Sequence, residues 1–325
     1  MNATHHQPSP RLCEDAGNDL ALVQLGRRLH ADHYRFITVT PLTHQRVNAR
    51  PQNQQARTLR DIFGWSRPFE PGLLPDAELR SLRAAGLLRA NGGLWESEVR
   101  WSSLDDSLFV HSRFPTSDHD SVFFGPDTYR FAQAIKDHLR STTQRIQRAV
   151  DIGCGSGVGA ILIAQARREA QVLAVDINPT ALRYTAVNAA LAEVENVVTQ
   201  PSDLLGNTLG EFDLIVANPP YMQDLQERAY RHGGANLGSD LSVRILDQAI
   251  ERLTAGGTLL LYTGAPSVQG VDVFLKHARP LLDRGDLSWS YREMDPDVFG
   301  EELETATYAS AERIAAVVLT VTRIA

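Results

Sequence analysis

The sequence predicts an α/β fold: a mostly parallel sheet with helices on both faces, preceded by a smaller α+β unit. Three observations lead there. From residue 149 onward, short apolar strands alternate with helical patterns, the mark of parallel strands joined by crossover helices. A glycine-rich turn directly follows the first of those strands. Before residue 122 the pattern differs, with short helices, glycine turns and a polar–apolar alternation.

Taken in order, residues 1–18 are polar, carry Pro8 and Pro10, and read as a flexible tail. Residues 19–31 place Leu20, Val23, Leu25 and Leu29 at near-helical spacing. Residues 46–56, rich in Arg, Gln and Asn, read as a loop or an exposed helix. Residues 76–88 read as a helix after Pro75, with Leu79, Leu82, Ala85 and Leu88 on one face. Ala90-Asn91-Gly92-Gly93 marks a turn. Residues 94–101 then alternate as a strand, with 108–110 as its partner. Helix, glycine turn and hairpin in that order suggest a winged-helix-like unit inside a substrate-recognition domain spanning 19–121.

The second domain spans 122–325. Strands are expected at 149–152, 172–175, 197–198, 212–217 and 258–262, and helices at 158–168, 180–191, 242–253 and 271–282. The apolar stretch 313–324 suits an antiparallel closing strand.

Composition narrows the function classes. Hydrophobic residues make up 43% of 325, enough for a packed core. With 32 basic and 39 acidic residues the net charge is −7, which argues against a bulk nucleic-acid binder. The charge is uneven: residues 1–125 hold 14 of each sign, so the acidity lies in the second domain. The two cysteines, Cys13 and Cys154, form no disulfide framework or zinc spacing, and a cytoplasmic location is expected. No spanning helix or signal peptide is visible, so no membrane partner is expected.

Two motifs carry chemistry. Val150-Asp151-Ile152-Gly153-Cys154-Gly155-Ser156-Gly157 follows a strand and opens a helix. Its glycines let the backbone turn and approach a ligand, and the helix start offers free N–H groups. Asp176 ends the next strand, placed to accept ribose hydroxyl protons. This much fits more than one nucleoside-type ligand. Gly155, Gly157 and Ala160 also satisfy the G-x-G-x-x-A pattern of dehydrogenases.

The second motif is Asn218-Pro219-Pro220-Tyr221, directly after the buried strand 212–217. Ligands of open α/β sheets bind beyond such strand ends. An amide or exocyclic amine nitrogen is a poor nucleophile because its lone pair is delocalised. The Asn218 side-chain oxygen and the Pro219 carbonyl can each accept one of its N–H bonds. Two fixed acceptors orient the nitrogen and stabilise the positive charge that develops on it. The prolines stiffen the corner, and Tyr221 can lie against a planar group.

The run Asp151-Ile152-Gly153-Cys154-Gly155-Ser156-Gly157 resembles the S-adenosylmethionine loop of Rossmann-like class I methyltransferases. The resemblance implies a cofactor site formed by Asp151, Gly153, Cys154, Gly155, Gly157, Asp176, Ile177, Asp203 and Asn218. In it Asp151 lies near the methionine end, Asp176 holds the ribose and Asp203 sits beside the adenine. Asn218, Pro219, Pro220 and Tyr221 would be catalytic, with Asn218, Pro219 and Tyr221 touching the methyl acceptor. The cofactor's sulfonium is already activated, so no metal is implied.

Residues of about 122 to 325 are most similar to the release-factor glutamine methyltransferases. The segment 124–129 resembles that family's P-x-P-x-T-E, the segment 233–238 its glycine-rich stretch, and 256–261 its following turn and strand. Tyr129 replaces the family's Glu and Gly125 its usual Arg, and the first 120 residues do not read as its helical bundle. The implied activity is N-methylation of a planar nitrogen, first a glutamine amide in a protein such as a release factor. The alternative is an amino group of adenine or guanine in RNA or DNA, with Arg27, Arg28, Arg46, Arg50, Arg57 and Arg60 as phosphate contacts. A nicotinamide-dependent oxidoreductase is the reading from another class; it leaves Asn218 to Tyr221 without a role.

Overall fold

A computed structural model describes residues 16–116, 118–224 and 230–324; most of the expected tail, with Cys13, lies outside them. The N-terminal module holds helices α1 (Ala16–Ala31), α2 (Pro41–Asn48), α3 (Leu59–Phe63) and α4 (Asp76–Ala84). Two hairpins follow, β1 (Leu88–Asn91) with β2 (Leu94–Ser97) and β3 (Val99–Leu104) with β4 (Ser107–Ser112). The helix, glycine turn and hairpin therefore run in the expected order.

Two local boundaries differ from expectation, each for a visible reason. The helix expected to reach residue 88 ends at Ala84, because Gly86 takes φ +66° and turns the chain into β1. Asn91 pairs with Leu94 across Gly92-Gly93, both at positive φ, the two-residue turn only glycines enter freely. The strand expected over 94–101 is two strands. The Ser97 hydroxyl bonds both the carbonyl and the amide of Val99, and the chain changes partners there. Within 46–56, α2 ends at Asn48 and a single 3-10 turn covers Pro51–Asn53.

The second unit opens with α5 (Pro126–Ser141), then β5 (Arg148–Ile152), α6 (Val158–Ala166), β6 (Gln171–Asp176), α7 (Pro179–Leu191), β7 (Val197–Pro201) and β8 (Phe212–Ala217). It continues with the short turn α8 (Ala235–Gly238), α9 (Asp240–Ile250), β9 (Leu253–Val268), β10 (Val271–Asp272), α10 (Val273–Leu282), β11 (Leu287–Asp295) and β12 (Arg313–Arg323). The main sheet runs β7-β6-β5-β8-β9-β12-β11, with β10 paired to β9. Strands β5 to β9 are parallel, and β12 is antiparallel to both neighbours, as the apolar C-terminal stretch implied. Strand β9 starts five residues before its expected position, β10 replaces the first residues of a helix, and α5 and β11 were not anticipated.

Alternate residues of each central strand feed two cores. Ala149, Leu214 and Val216 face α5 and α6, while Val150, Ile215 and Ala217 face α9 and α10. That is why the strands read as continuous apolar runs. The strand order reverses between β5 and β8, so the loops leaving those two strands diverge and open a crevice.

The N-terminal module docks on α7. Ala181, Tyr184 and Val187 of α7 belong to the module's own core, and Arg183 pairs with buried Asp19 of α1. Hairpin β3–β4 is covered on both faces: Val99 and Trp101 join the module core, and Leu104 and Phe109 the sheet core.

Candidate active site

The glycine loop leaves β5 at Ile152 and folds over the end of β6. The amides of Gly153 and Cys154 both donate to the Val175 carbonyl, at 2.8 and 3.0 Å. Gly153, Gly155 and Gly157 take φ of +66, +53 and +79°. A Cβ on Gly157 would stand 2.7 Å from Thr185 Cγ2, and one on Gly159 2.7 Å from Asp151 Oδ2. The turn is therefore closed to side chains from behind as well as strained for them.

Asp151 is 2% exposed, and its Oδ2 accepts the Ala160 amide at 2.9 Å, one of the free N–H groups at the start of α6. Burial raises its pKa to about 7 against that bond. Asp176 accepts from the Gly155 amide (3.0 Å) and the Asn178 amide (2.9 Å), and burial raises its pKa as well. Both acids thus shape the loop. Ile177 stands 65% exposed at the rim beside Asp176, and exposed Asp203 lies 3.8 Å from Arg244. The Cys154 thiol is buried and pushed up by desolvation, so this residue offers backbone rather than a reactive sulfur.

These residues surround one cavity of about 230 Å³. Asp151, Gly153, Cys154, Gly155, Asp176, Ile177 and Asp203 line it, and so do all four residues Asn218, Pro219, Pro220 and Tyr221. Gly157 is the one expected site residue not on its wall; it caps the start of α6 behind the loop. Phe131, Val158, Leu241 and Ile245 supply apolar wall.

Strand β8 delivers Asn218 to the lip of this cavity. Asn218 is half-buried, and among the described residues no hydrogen bond engages its amide, so both its oxygen and its NH2 remain available. Tyr221 behaves differently. It is 6% exposed, and its hydroxyl donates to Asp127 Oδ2 at 2.7 Å. Tyr262 donates to Asp127 Oδ1 at 2.7 Å, and Arg130 reaches the same oxygen at 3.1 Å. Arg130 in turn holds Asp295 at 2.6 Å. Asp127 is 4% exposed; burial raises its pKa and the three donors oppose that rise. The Tyr221 ring lies against the Gly264 backbone, where a Cβ would collide with it, and meets Phe299 edge-on at 5.9 Å. Tyr221, expected to touch the acceptor, keeps a place on the cavity wall while its hydroxyl is tied to Asp127 and its ring is largely covered.

The glycine-rich segment clamps the corner from the other side. The Gly233 amide donates to the Met222 carbonyl (2.7 Å), and the Met222 amide to the Arg231 carbonyl (3.1 Å). A Cβ on Gly233 would stand 2.7 Å from Tyr221 Cα, and one on Gly238 would strike the Tyr221 carbonyl. Tyr308 locks the far end, donating to the Leu237 carbonyl (3.1 Å) and accepting the Gln223 amide (2.8 Å).

Sequence reasoning missed Asp127 as an individual residue, along with Arg130, Tyr262, Phe299 and Tyr308. Asp127 was visible only inside the segment resembling P-x-P-x-T-E. The others reach the corner only through tertiary packing, Tyr262 across 41 residues, Phe299 across 78, Tyr308 across 87, and Arg130 from a helix not anticipated.

A glycine loop with an acid on the next strand suits several nucleoside ligands. Here its opposite wall is a rigid Asn-Pro-Pro corner with an unengaged amide, which hydride transfer does not require. Fold and site together define a class I S-adenosylmethionine-dependent methyltransferase. The model of the methyltransferase small domain family matches residues 130–269. A release factor glutamine methyltransferase of Deinococcus radiodurans is 31% identical over 199 residues, 58% of this chain and 67% of that protein. One of Lactococcus lactis subsp. lactis is 33% identical over 162 residues, 46% of this chain and 58% of that protein. A ribosomal protein uL3 glutamine methyltransferase of Bordetella pertussis is 39% identical over 133 residues, 37% of this chain and 44% of that protein. The chain belongs to this methyltransferase family, and S-adenosylmethionine is its cofactor. It spans little more than half the length of the Lactococcus relative.

Proposed function

We propose that this protein transfers a methyl group from S-adenosylmethionine to the side-chain amide nitrogen of a glutamine in a protein of the translation machinery. The observation that carries the reading is Asn218, its amide unengaged, at the lip of a cavity whose other end is the glycine loop and Asp176. The residues fit the cofactor: three left-handed glycines leave the loop backbone open, and a half-buried carboxylate stands where ribose hydroxyls need an acceptor. When bound, the cofactor supplies a methyl group already activated on a sulfonium.

The chain's own work is then orientation. Asn218 Oδ1 and the Pro219 carbonyl accept the two N–H bonds of the target amide, turning its lone pair toward the cavity. As the nitrogen gains positive charge, those two oxygens stabilise it without reorganising. No hydroxyl of Tyr221 is available to the acceptor, because Asp127 holds it. The buried Tyr221 ring leaves little open face for a flipped purine, which favours a slim amide over a base.

The test is transfer of tritiated methyl to purified release factors and ribosomal proteins, followed by peptide mass spectrometry. A gain of one methyl on a glutamine is expected, and Asn218→Ala should slow it about 100-fold or more. Label on RNA that ribonuclease removes would replace this reading with the base-directed alternative.

A further inference from the structure

We infer that the N-terminal module carries an RNA-binding face built on Arg46, Arg50, Arg57 and Arg60. Between residues 33 and 60 the chain has five arginines and two histidines and no Asp or Glu, in a protein of net charge −7. Elsewhere many arginines are neutralised, Arg28, Arg67, Arg113, Arg130, Arg183 and Arg231 among them, and exposed arginines outside ion pairs, such as Arg27, Arg80, Arg145 and Arg168, are not gathered in an acid-free stretch. Arg35 is paired too, with Asp106. The four named arginines are exposed, and among the described residues no carboxylate lies within ion-pair distance of any of them. Asp61, the nearest acid in sequence, is taken by Arg67.

The face is held in shape. Asn53 donates to the Val47 carbonyl (2.8 Å), Gln54 to the Asn48 carbonyl (3.0 Å), and Asn48 to the Trp65 carbonyl (2.8 Å). A groove runs along it, walled by Gln52, Gln54, Gln55 and Arg57, with Glu70 as its one carboxylate. Behind the face, a chain of contacts links α2 to the cavity wall. His44 of α2 stacks on Phe114 at 4.0 Å, the Phe114 amide bonds Ser66 (3.2 Å), and Tyr230, on the cavity wall, donates to the Thr116 carbonyl.

The chemistry selects the partner. A protein interface is anchored by apolar and aromatic groups, and this face exposes only Leu42 among its large hydrophobics from α2 to α3. Unpaired arginines and free amides instead suit phosphates and 2′-hydroxyls. The inference is separable from the acceptor question, since binding is read without methyl transfer.

The test is fluorescence anisotropy of the whole protein with a labelled single-stranded 20-nucleotide RNA, between 50 and 200 mM NaCl. Four phosphate contacts give a slope of log K against log salt of about −2.8, a roughly 50-fold loss over that range. The quadruple Arg46/Arg50/Arg57/Arg60→Gln variant should bind at least about tenfold more weakly at the low salt, with a slope near zero. A control with Arg140→Gln and Arg284→Gln should match the unmodified protein. If the quadruple variant melts early, single Arg46→Gln and Arg50→Gln variants should each lower the slope by about 0.7. The inference fails if the unmodified protein does not bind at 50 mM salt, if the variants keep its slope, or if DNA of the same sequence binds equally well. It also fails if the quadruple variant keeps RNA but loses methylation of a protein acceptor, which would make the face a protein dock.

Discussion

Replacing Tyr221 by Phe removes one hydroxyl and leaves the ring, so it isolates the bond to Asp127. That carboxylate is 4% exposed and has three donors: Tyr221 and Tyr262 at 2.7 Å each and Arg130 at 3.1 Å. Losing one hydrogen bond to a charged, buried acceptor costs about 1.5–3 kcal/mol. For a domain of this size each kcal/mol moves Tm by roughly 2–4 °C, so a fall of roughly 3–12 °C is expected by calorimetry. The ring stays between Gly264 and Phe299, so kcat should fall well short of the roughly 100-fold that a misplacement of about 1 Å costs. KM for the acceptor should not change. Asp127→Asn should be worse, because one amide oxygen cannot serve two tyrosines and Arg130 loses a partner. The double variant should fall short of additive, since both changes break the same bond. A higher acceptor KM with unchanged Tm in Tyr221→Phe would refute the reasoning, because the hydroxyl would then belong to the substrate.

Further outcomes follow from the same geometry. Asn218→Ala should lower kcat about 100-fold or more, as for loss of one fixed transition-state partner, with cofactor affinity by calorimetry little changed. Asp176→Ala should weaken cofactor binding at least about tenfold while the protein stays folded by circular dichroism. Gly264→Ala drives a methyl into the Tyr221 ring and should cost activity even where Tm is held within a few degrees. For Asp151 the folded pKa, about 7, lies above the ordinary aspartate value. The folded state therefore binds the proton more tightly, and stability is fully present below about pH 4 and lost as pH rises through 7. Asp151→Asn should flatten that part of a urea-denaturation pH series, and an unchanged slope would reassign it.

Much of the site was legible because its residues are local to two motifs. The glycine loop, Asp176 and the Asn-Pro-Pro-Tyr corner are each contiguous or one strand apart, and a parallel sheet puts successive strand ends side by side. Asp127, Tyr262 and Phe299 meet Tyr221 only through tertiary packing across 94, 41 and 78 residues, with no spacing rule to reveal them. Strand β11 did carry a signal, with Leu287, Trp289 and Tyr291 alternating against Ser288, Ser290 and Arg292. Helix α5 carried one too, in Pro126 at its first position. The break between β2 and β3 was hidden because alternation continues through Glu98 and only the pairing partner changes.

One amide ties the two halves of the molecule together. Asn188 of α7 accepts the Val110 amide at 2.8 Å and donates to the Val110 carbonyl at 3.1 Å, completing the edge of β4 as another strand would. The same NH2 donates to the Ser156 carbonyl at 2.8 Å, inside the glycine loop. Thr185, one turn earlier, donates to the Gly155 carbonyl at 3.1 Å. Helix α7 is therefore at once a wall of the N-terminal core and the brace of the cofactor loop. A partner that shifts the N-terminal module against α7 would strain Asn188 and reach the loop directly, with no need for a longer chain of contacts. The seat of the module and the geometry of the loop therefore share one helix.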